Sequence, residues 1–343
     1  WHIRDAGIKS LKAGKTFYTS NAGLMELREE ICRYTEEKMH VSYDPKSEVF
    51  ISVGGSEAID IAFRATLDIG DEVIIPEPAF VSYVPCAQLA GAVPVTIPLK
   101  AENEFRLTPE ELEAAITPKS KILLLSYPNN PTGAIMEKAD LEALCPIIEK
   151  YDLLVVSDEI YSELSYKSAH VSIASLPGMR ERTIVINGFS KAFAMTGWRL
   201  GYLACTPALY QVVLKLFQHS ISCTSGFLQR GALTALDCVE ETEQMRQAYE
   251  KRKNLLFEGI REIPGVELLT PAGAFYAWVK FDTDMDSETL CNDLLDKAKI
   301  AGVPGIAYGE EDCVCIRFSF AASEDVLRTM LERLKTYQEN HTK

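Results

Sequence analysis

Four segments of this chain hold residue types that do chemistry, at places where they could act together. Gly54-Gly55-Ser56 precedes a helical pattern, and Tyr127-Pro128-Asn129-Asn130-Pro131-Thr132-Gly133 is a loop. Ser157 leads into Asp158-Glu159-Ile160-Tyr161, and Gly188-Phe189-Ser190-Lys191 runs on to Trp198-Arg199. A glycine pair and a hydroxyl at a helix start present free backbone N–H groups and the positive end of the helix dipole, which suits a phosphate. A lysine in a desolvated pocket can form a Schiff base. Singly, each segment has a plainer reading: a turn, a loop of turn-favouring residues, an acid at a strand end, a solvated cation. Together they amount to a phosphate cradle, a carboxylate, a phenol and an amide able to bind a phenolate oxygen, and a lysine able to form a Schiff base. That set is what a pyridoxal 5'-phosphate site requires.

The elements that must position these groups alternate short apolar runs with amphipathic stretches, the pattern of βαβ units around a largely parallel sheet. Strands are expected at Val49–Val53, Glu72–Ile75, Val93–Ile97, Lys121–Ser126, Leu153–Ser157, Thr183–Asn187 and Gly201–Cys205. Helices are expected between them at Glu57–Leu67, Val81–Leu89, Pro109–Ile116, Ala139–Tyr151 and Ala208–Ser220. Ligands of open parallel sheets sit at the carboxyl ends of the strands, and all four segments follow a strand there. From Leu228 to Ile263 the sequence reads as one long helical stretch leading to a second lobe. That lobe has strands at Val266–Leu269, Phe275–Val279 and Val314–Phe320 and helices at Glu288–Lys299 and Glu324–Gln338. The expected fold class is α/β, a three-layer α/β/α unit with a mainly parallel seven-stranded sheet over residues 1–260, and a smaller α+β domain over 261–343.

Composition removes several other classes. Among 343 residues, 35 Lys and Arg face 49 Asp and Glu, a net charge of −14, so the basic stripe that nucleic-acid binding needs is absent. Nine cysteines, odd in number and without a CxxC spacing, fit reduced thiols of a cytoplasmic protein better than a disulfide framework. Cys313 and Cys315 would share a face of a strand, where packing is the expected role. The five histidines form neither HxxxH nor HExxH, so no metal site is expected. Ala79–Leu99 carries no charge, but its Pro85, Gly91, Pro94 and Pro98 argue for a buried helix and a strand rather than a membrane span. Lys12-Ala13-Gly14-Lys15-Thr16 ends like a phosphate loop, yet Lys9 stands where the first glycine belongs.

The runs Pro128–Gly133, Ser157–Tyr161 and Ser190-Lys191-Ala192-Phe193-Ala194-Met195-Thr196-Gly197-Trp198-Arg199-Leu200-Gly201-Tyr202 resemble the class I/II aminotransferases of fold type I. Tyr18 and the Arg317-Phe318-Ser319-Phe320 run extend the resemblance over essentially the whole chain. It implies that Lys191 carries the cofactor as a Schiff base and then moves the α-proton, and that Asp158 faces the pyridine nitrogen. Asn130 and Tyr161 would bind the phenolate oxygen, and Phe80, rather than Tyr83, would stack on the ring. Gly54, Gly55, Ser56 and Arg199 would hold the phosphate, with Tyr18 reaching in from the second subunit of a homodimer. Arg317 would grip the substrate α-carboxylate as a fork.

Gly188 stands where many members of the family carry serine. Arg64, two helical turns beyond Ser56, is a candidate reader of a distal carboxylate, set against a helix-surface or dimer salt bridge. Within the family the resemblance is to the aspartate aminotransferase branch and to N-acetyl-diaminopimelate aminotransferases. An L-amino acid and a 2-oxo acid such as 2-oxoglutarate are then the expected substrates. C–S β-elimination and a non-catalytic sensor module are the alternative functions. Trp1–Gly23 resembles an internal part of the family pattern, which implies that an N-terminal arm preceding it is missing from this sequence.

Overall fold

The computed structural model describes residues 1–269 and 271–341. Helices α1 (His2–Lys12) and α2 (Met25–Met39) precede the first strand, β1 (Val49–Ser52). There follow α3 (Gly55–Thr66), β2 (Glu72–Glu77), α4 (Tyr83–Leu89), β3 (Val93–Pro98), α5 (Pro109–Ala115), β4 (Ser120–Ser126), α6 (Lys138–Lys150), β5 (Leu154–Asp158), β6 (Thr183–Gly188), β7 (Gly201–Ala204) and α7 (Pro207–Ser220). The seven strands pair in the order β1-β7-β6-β5-β4-β2-β3, parallel throughout except for β7, which runs antiparallel to both neighbours. This is the expected sheet. Its central strands are buried on both faces, which is why they read as unbroken apolar runs.

Helices cover both faces. Phe50, Ile59, Phe63, Ile75 and Phe217 pack one face under α3, α4 and α7. Leu123, Leu144 and Val155 pack the other under α5 and α6, continued by Leu27, Ile31, Val185 and Ala232 under α2 and α8 (Gly226–Leu236). The uncharged stretch Ala79–Leu99 becomes α4 and β3. Among the described residues no helix is long and apolar enough to cross a membrane.

The expected single helical stretch from Leu228 to Ile263 is two helices. It breaks at Asp237–Cys238 into α8 and α9 (Val239–Arg261). The break has a packing cause: Ala232 and Ala235 of α8 face the first sheet, whereas Leu256 and Ile260 of α9 face a second one, and one straight rod cannot serve both. That second sheet has the order β10-β11-β9-β8, all antiparallel. It consists of β8 (Val266–Leu268), β9 (Tyr276–Phe281), β10 (Val303–Pro304) and β11 (Cys315–Ser319). The expected helix Glu288–Lys299 is α10 (Ser287–Asp293) followed by a π-helical turn at Leu294–Ala298, and α11 (Glu324–His341) closes the chain. Backbone bonds tie the start of β9 to the first sheet's loops, where Ala272 and Gly273 N–H both donate to the Gly133 carbonyl at 2.9 and 2.8 Å.

Gly188 and Gly201 face each other across β6 and β7, and a Cβ on Gly188 would stand 2.7 Å from the Gly201 Cα and 2.9 Å from the Leu200 carbonyl. The glycine is therefore set by the close approach of two backbones, not by a missing phosphate contact. Gly188→Ser should lower stability by about 1–3 kcal/mol, the usual cost of overpacking, read as an earlier urea midpoint.

Candidate active site

The site lies along the carboxyl edge of the first sheet, as the doubly wound topology requires. β1 delivers Gly54–Ser56, β2 leads to Phe80 and Tyr83, β4 to Asn130, β5 to Asp158 and Tyr161, and β6 to Lys191. The antiparallel β7 does what a parallel strand could not. It starts where β6 ends, and so holds Arg199, two residues before Gly201, at the same edge.

Gly54 has φ +85°, a left-handed conformation costly for any residue with a Cβ, and it caps α3. A Cβ there would lie 2.8 Å from Nη2 of Arg199. The N–H groups of the first turn of α3, Ser56 in that turn and a guanidinium thus form one cradle that fits a phosphate dianion. Arg199 is also left-handed, at φ +54°, and donates to the Thr196 carbonyl at 3.2 Å.

Asp158 is buried at the last position of β5. The Tyr83 hydroxyl donates to its Oδ2 at 2.7 Å and lies 2.8 Å from Ser126 Oγ, while Ile160 N–H donates to Oδ1 at 3.1 Å. Burial pushes its carboxyl above the ordinary aspartate value, against the two hydrogen bonds and the Lys191 charge. A buried acid with one cationic neighbour fits a protonated pyridine nitrogen. Glu159 turns the other way, accepting from Ser157 and Ser172 hydroxyls at 2.9 and 2.7 Å, with His170 Nε2 3.0 Å from its other oxygen.

Lys191 Nζ sits 5.8 Å from the Tyr161 ring centroid and 5.6 Å from that of Phe275. Desolvation lowers its pKa first, and the Arg199 and Arg317 cations lower it further, with Asp158 opposing. A lowered lysine is a neutral amine over more of the working pH range, which is the form that adds to a carbonyl or takes a proton. The rate at which Lys191 condenses with an added aldehyde probe, pyridoxal phosphate, should rise with pH through a pKa below the usual ~10.4. Arg317→Leu should move that rise to higher pH, because one of the two depressing cations is gone.

Arg317 comes from β11 in the second sheet. Its Nη1 donates to Asn130 Oδ1 at 2.9 Å, and its guanidinium lies over the rings of Tyr276 at 4.3 Å and Tyr308 at 5.1 Å. Its Nε is buried without a hydrogen-bond partner, a donor turned to something the protein itself does not supply. Tyr161, whose phenol burial pushes well above its ordinary pKa, shares a 2.8 Å hydrogen bond with Tyr276. Tyr276 and Phe275 escape sequence reasoning, which offers only the alternation along an expected strand, and Tyr308, in a turn at Gly305–Tyr308, carries no sequence signal.

The other expected residues divide. Phe80 is half-buried with its ring edge-on to Tyr83 at 5.6 Å, and Tyr83 is committed to Asp158. Tyr18 is 84% exposed and contributes nothing to the cluster of its own protomer. Arg64 is not brought to the cluster: it stands in the last turn of α3, where Nε binds the Asp60 carboxylate at 2.8 Å on a face with 40% of the side chain exposed. The sequence expectation of a pocket-facing Arg64 gives way to an i,i+4 pair. The buried side of α3 is taken by Ala58, Ile59, Ala62 and Phe63.

Comparison with known proteins gives one consistent result. Residues 2–334 match the family described as aminotransferase class I and II. The aspartate aminotransferase of Geobacillus stearothermophilus is 40% identical over 350 residues, covering 98% of this chain and 88% of that protein. The aromatic-amino-acid aminotransferase 2 of Thermococcus litoralis is 38% identical over 339 residues, covering 97% of this chain and 87% of that protein. Among solved structures, the aromatic aminotransferase of Pyrococcus horikoshii OT3 superposes with a TM-score of 0.97 at 38% identity, covering 99% of this chain and 92% of that one.

Proposed function

This chain belongs to the aminotransferase class I and II family and is an aminotransferase, and from that premise we propose that it works through pyridoxal 5'-phosphate held by the residues above. It exchanges the amino group of an L-amino acid, aspartate- or glutamate-like or N-acetyl-diaminopimelate-like, with a 2-oxo acid such as 2-oxoglutarate. The observation that carries this reading is the setting of Lys191, whose Nζ lies beside the rings of Tyr161 and Phe275 and whose pKa is lowered by burial and by the charges of Arg199 and Arg317, with the buried Asp158 opposing. C–S β-elimination and a silent sensor are not favoured, since the relatives named above transfer amino groups.

Pyridoxal phosphate, when bound, supplies an electron sink for the carbanion left at the substrate α-carbon. Everything else falls to side chains. The first turn of α3 and Arg199 hold the dianion, and Asp158 holds a proton on the ring nitrogen by its charge. Asn130, with Oδ1 occupied by Arg317, keeps Nδ2 as a donor, and it shares the phenolate oxygen with the Tyr161 hydroxyl. Phe80 covers the ring. Arg317 binds the α-carboxylate, and this fixes the α-C–H bond toward Lys191, whose Nζ takes the proton and returns it elsewhere.

Two further parts belong to the same proposal. The chain acts as a cytoplasmic homodimer, with Tyr18 completing the partner's phosphate site; the exposure of Trp1, Phe17 and Tyr18 supports that surface. Residues 1–260 and 261–343 act as separate lobes, supported by the end of α9 at Arg261 and the separate core around Val279, Ile316, Phe318 and Leu334, against which the last turns of α9 also pack through Leu256 and Ile260.

A visible spectrum of the purified protein tests the reading. An absorbance band should appear with added pyridoxal phosphate and convert to the pyridoxamine form with a productive amino donor, and a panel of donors then ranks the substrates. A protein that stays colourless with added cofactor overturns it.

A further inference from the structure

Cys313 and Cys315 do more than pack. Cys315 opens β11, is 2% exposed, and pairs in register with Lys280 of β9. Cys313 precedes the strand and is half-buried; its N–H and that of Asp312 donate to Glu310 Oε1 at 3.3 and 3.0 Å. The two sulfur atoms are 2.9 Å apart. A disulfide spans about 2.05 Å, so less than ~1 Å of closure separates the thiols from a bond, and Cys313 stands outside the ladder, where it can move. Among the described residues no other two cysteines form such a contact. The hydrogen bond the two sulfurs share holds the Cys313 thiol below its ordinary value, with Lys280 acting in the same sense and burial and Glu310 opposing. A part-exposed thiol in direct contact with a buried second thiol is the arrangement of an attacking and a resolving cysteine.

We propose that Cys313 and Cys315 form a dithiol modification site, oxidised by hydroperoxides to an intrachain disulfide that weakens the carboxylate grip of Arg317. The Cys313 sulfur attacks the peroxide, the O–O bond breaks, and a sulfenic acid and one molecule of water or alcohol result. The Cys315 sulfur then attacks Cys313, the S–S bond forms, and the sulfenic oxygen leaves as a second water with the Cys315 proton. Two thiols are oxidised and one peroxide is reduced.

The link to Arg317 is short. Arg317 follows Cys315 by two residues on the same strand and face, and the segment being drawn in joins β11 to Tyr308, whose ring lies 5.1 Å from the Arg317 guanidinium. This second half rests on Arg317 as the carboxylate reader; disulfide formation does not.

The test treats the pyridoxal-phosphate-loaded protein with stoichiometric hydrogen peroxide, alkylates the remaining thiols and digests with trypsin. Both cysteines fall in one peptide, Ile300–Arg317. That peptide should escape alkylation and be two hydrogen masses lighter. KM for the amino donor should rise by about tenfold, or ~1.4 kcal/mol of binding, with kcat changed less. Dithiothreitol should reverse both effects, and Cys313→Ser should keep the reduced KM and ignore peroxide. A fully alkylated or a sulfinic peptide overturns the site. A disulfide without a reversible change in KM, or a peroxide response that survives in Cys313→Ser, overturns its coupling to Arg317. The mass readout needs no activity, so failure of the aminotransferase reading is distinguishable.

Discussion

Lys191→Ala is expected to lower kcat by about 10⁴-fold, the upper range for a positioned proton-transfer group, and to abolish the absorbance of lysine-bound cofactor. On the proposed function two roles are lost together, because the same Nζ would anchor the aldehyde and move the α-proton. The fold should persist: Lys191 is only partly buried, and its ring contacts at 5.6 and 5.8 Å are long, so alanine removes an unfavourably desolvated cation rather than a packed side chain. Circular dichroism and urea unfolding check the fold, and steady-state and single-turnover rates check the chemistry. If the variant keeps more than roughly one hundredth of the wild-type kcat, as with loss of a minor acid–base contribution, Lys191 is not the base. Methylamine should restore part of the proton-transfer rate, which would not happen had the substitution merely distorted the site.

Asp158→Asn should be the next most damaging change. Removing one member of a buried charge pair costs about 3–5 kcal/mol, which at ~1.4 kcal/mol per decade means kcat lower by about two to three and a half powers of ten. Asparagine keeps the volume and can still accept from Tyr83, so the cofactor should bind within about tenfold of normal, the span of one hydrogen bond's worth of change. The split between large kcat and small affinity effects separates an electrostatic role from a structural one. Tyr83→Phe serves as the companion: it removes the 2.7 Å donor while leaving the charge, and it should cost no more than about tenfold in kcat. A Tyr83→Phe effect as large as that of Asp158→Asn would show that orientation, not charge, matters.

The first sheet was readable because its central strands are short runs buried on both faces, so the apolar pattern marks them, and its strand ends fall within one or two residues of those expected. The groups at its carboxyl edge were readable for a related reason. Each is a local motif, in which a turn, a glycine or a charged residue follows directly on a strand. The α8–α9 break carried no such signal, since Asp237 and Cys238 are ordinary helix residues and the turn is imposed by two different cores. α2 was missed as well, with a pattern so rich in charge that its inner face of Leu27, Ile31 and Thr35 is diluted.

The site divides along the same line. Sequence by itself determined the family and singled out the lysine, the aspartate and the arginines as candidates for its chemistry. Tertiary structure decided how they meet. Arg317 joins Asn130 across 187 residues, and Tyr161 joins Tyr276 across 115. Arg199 reaches the Gly54 cradle because β7 runs against its neighbours, and Arg64 leaves the site for Asp60. Cys313 and Cys315 passed from a packing pair to a sulfur contact whose nearer member, Cys315, lies two residues from Arg317 on the same strand. The physical reason is range: covalent neighbours and helical or strand periodicity fix what a residue can be, whereas desolvation, charge coupling and close approach depend on partners that only the folded chain brings within a few ångströms.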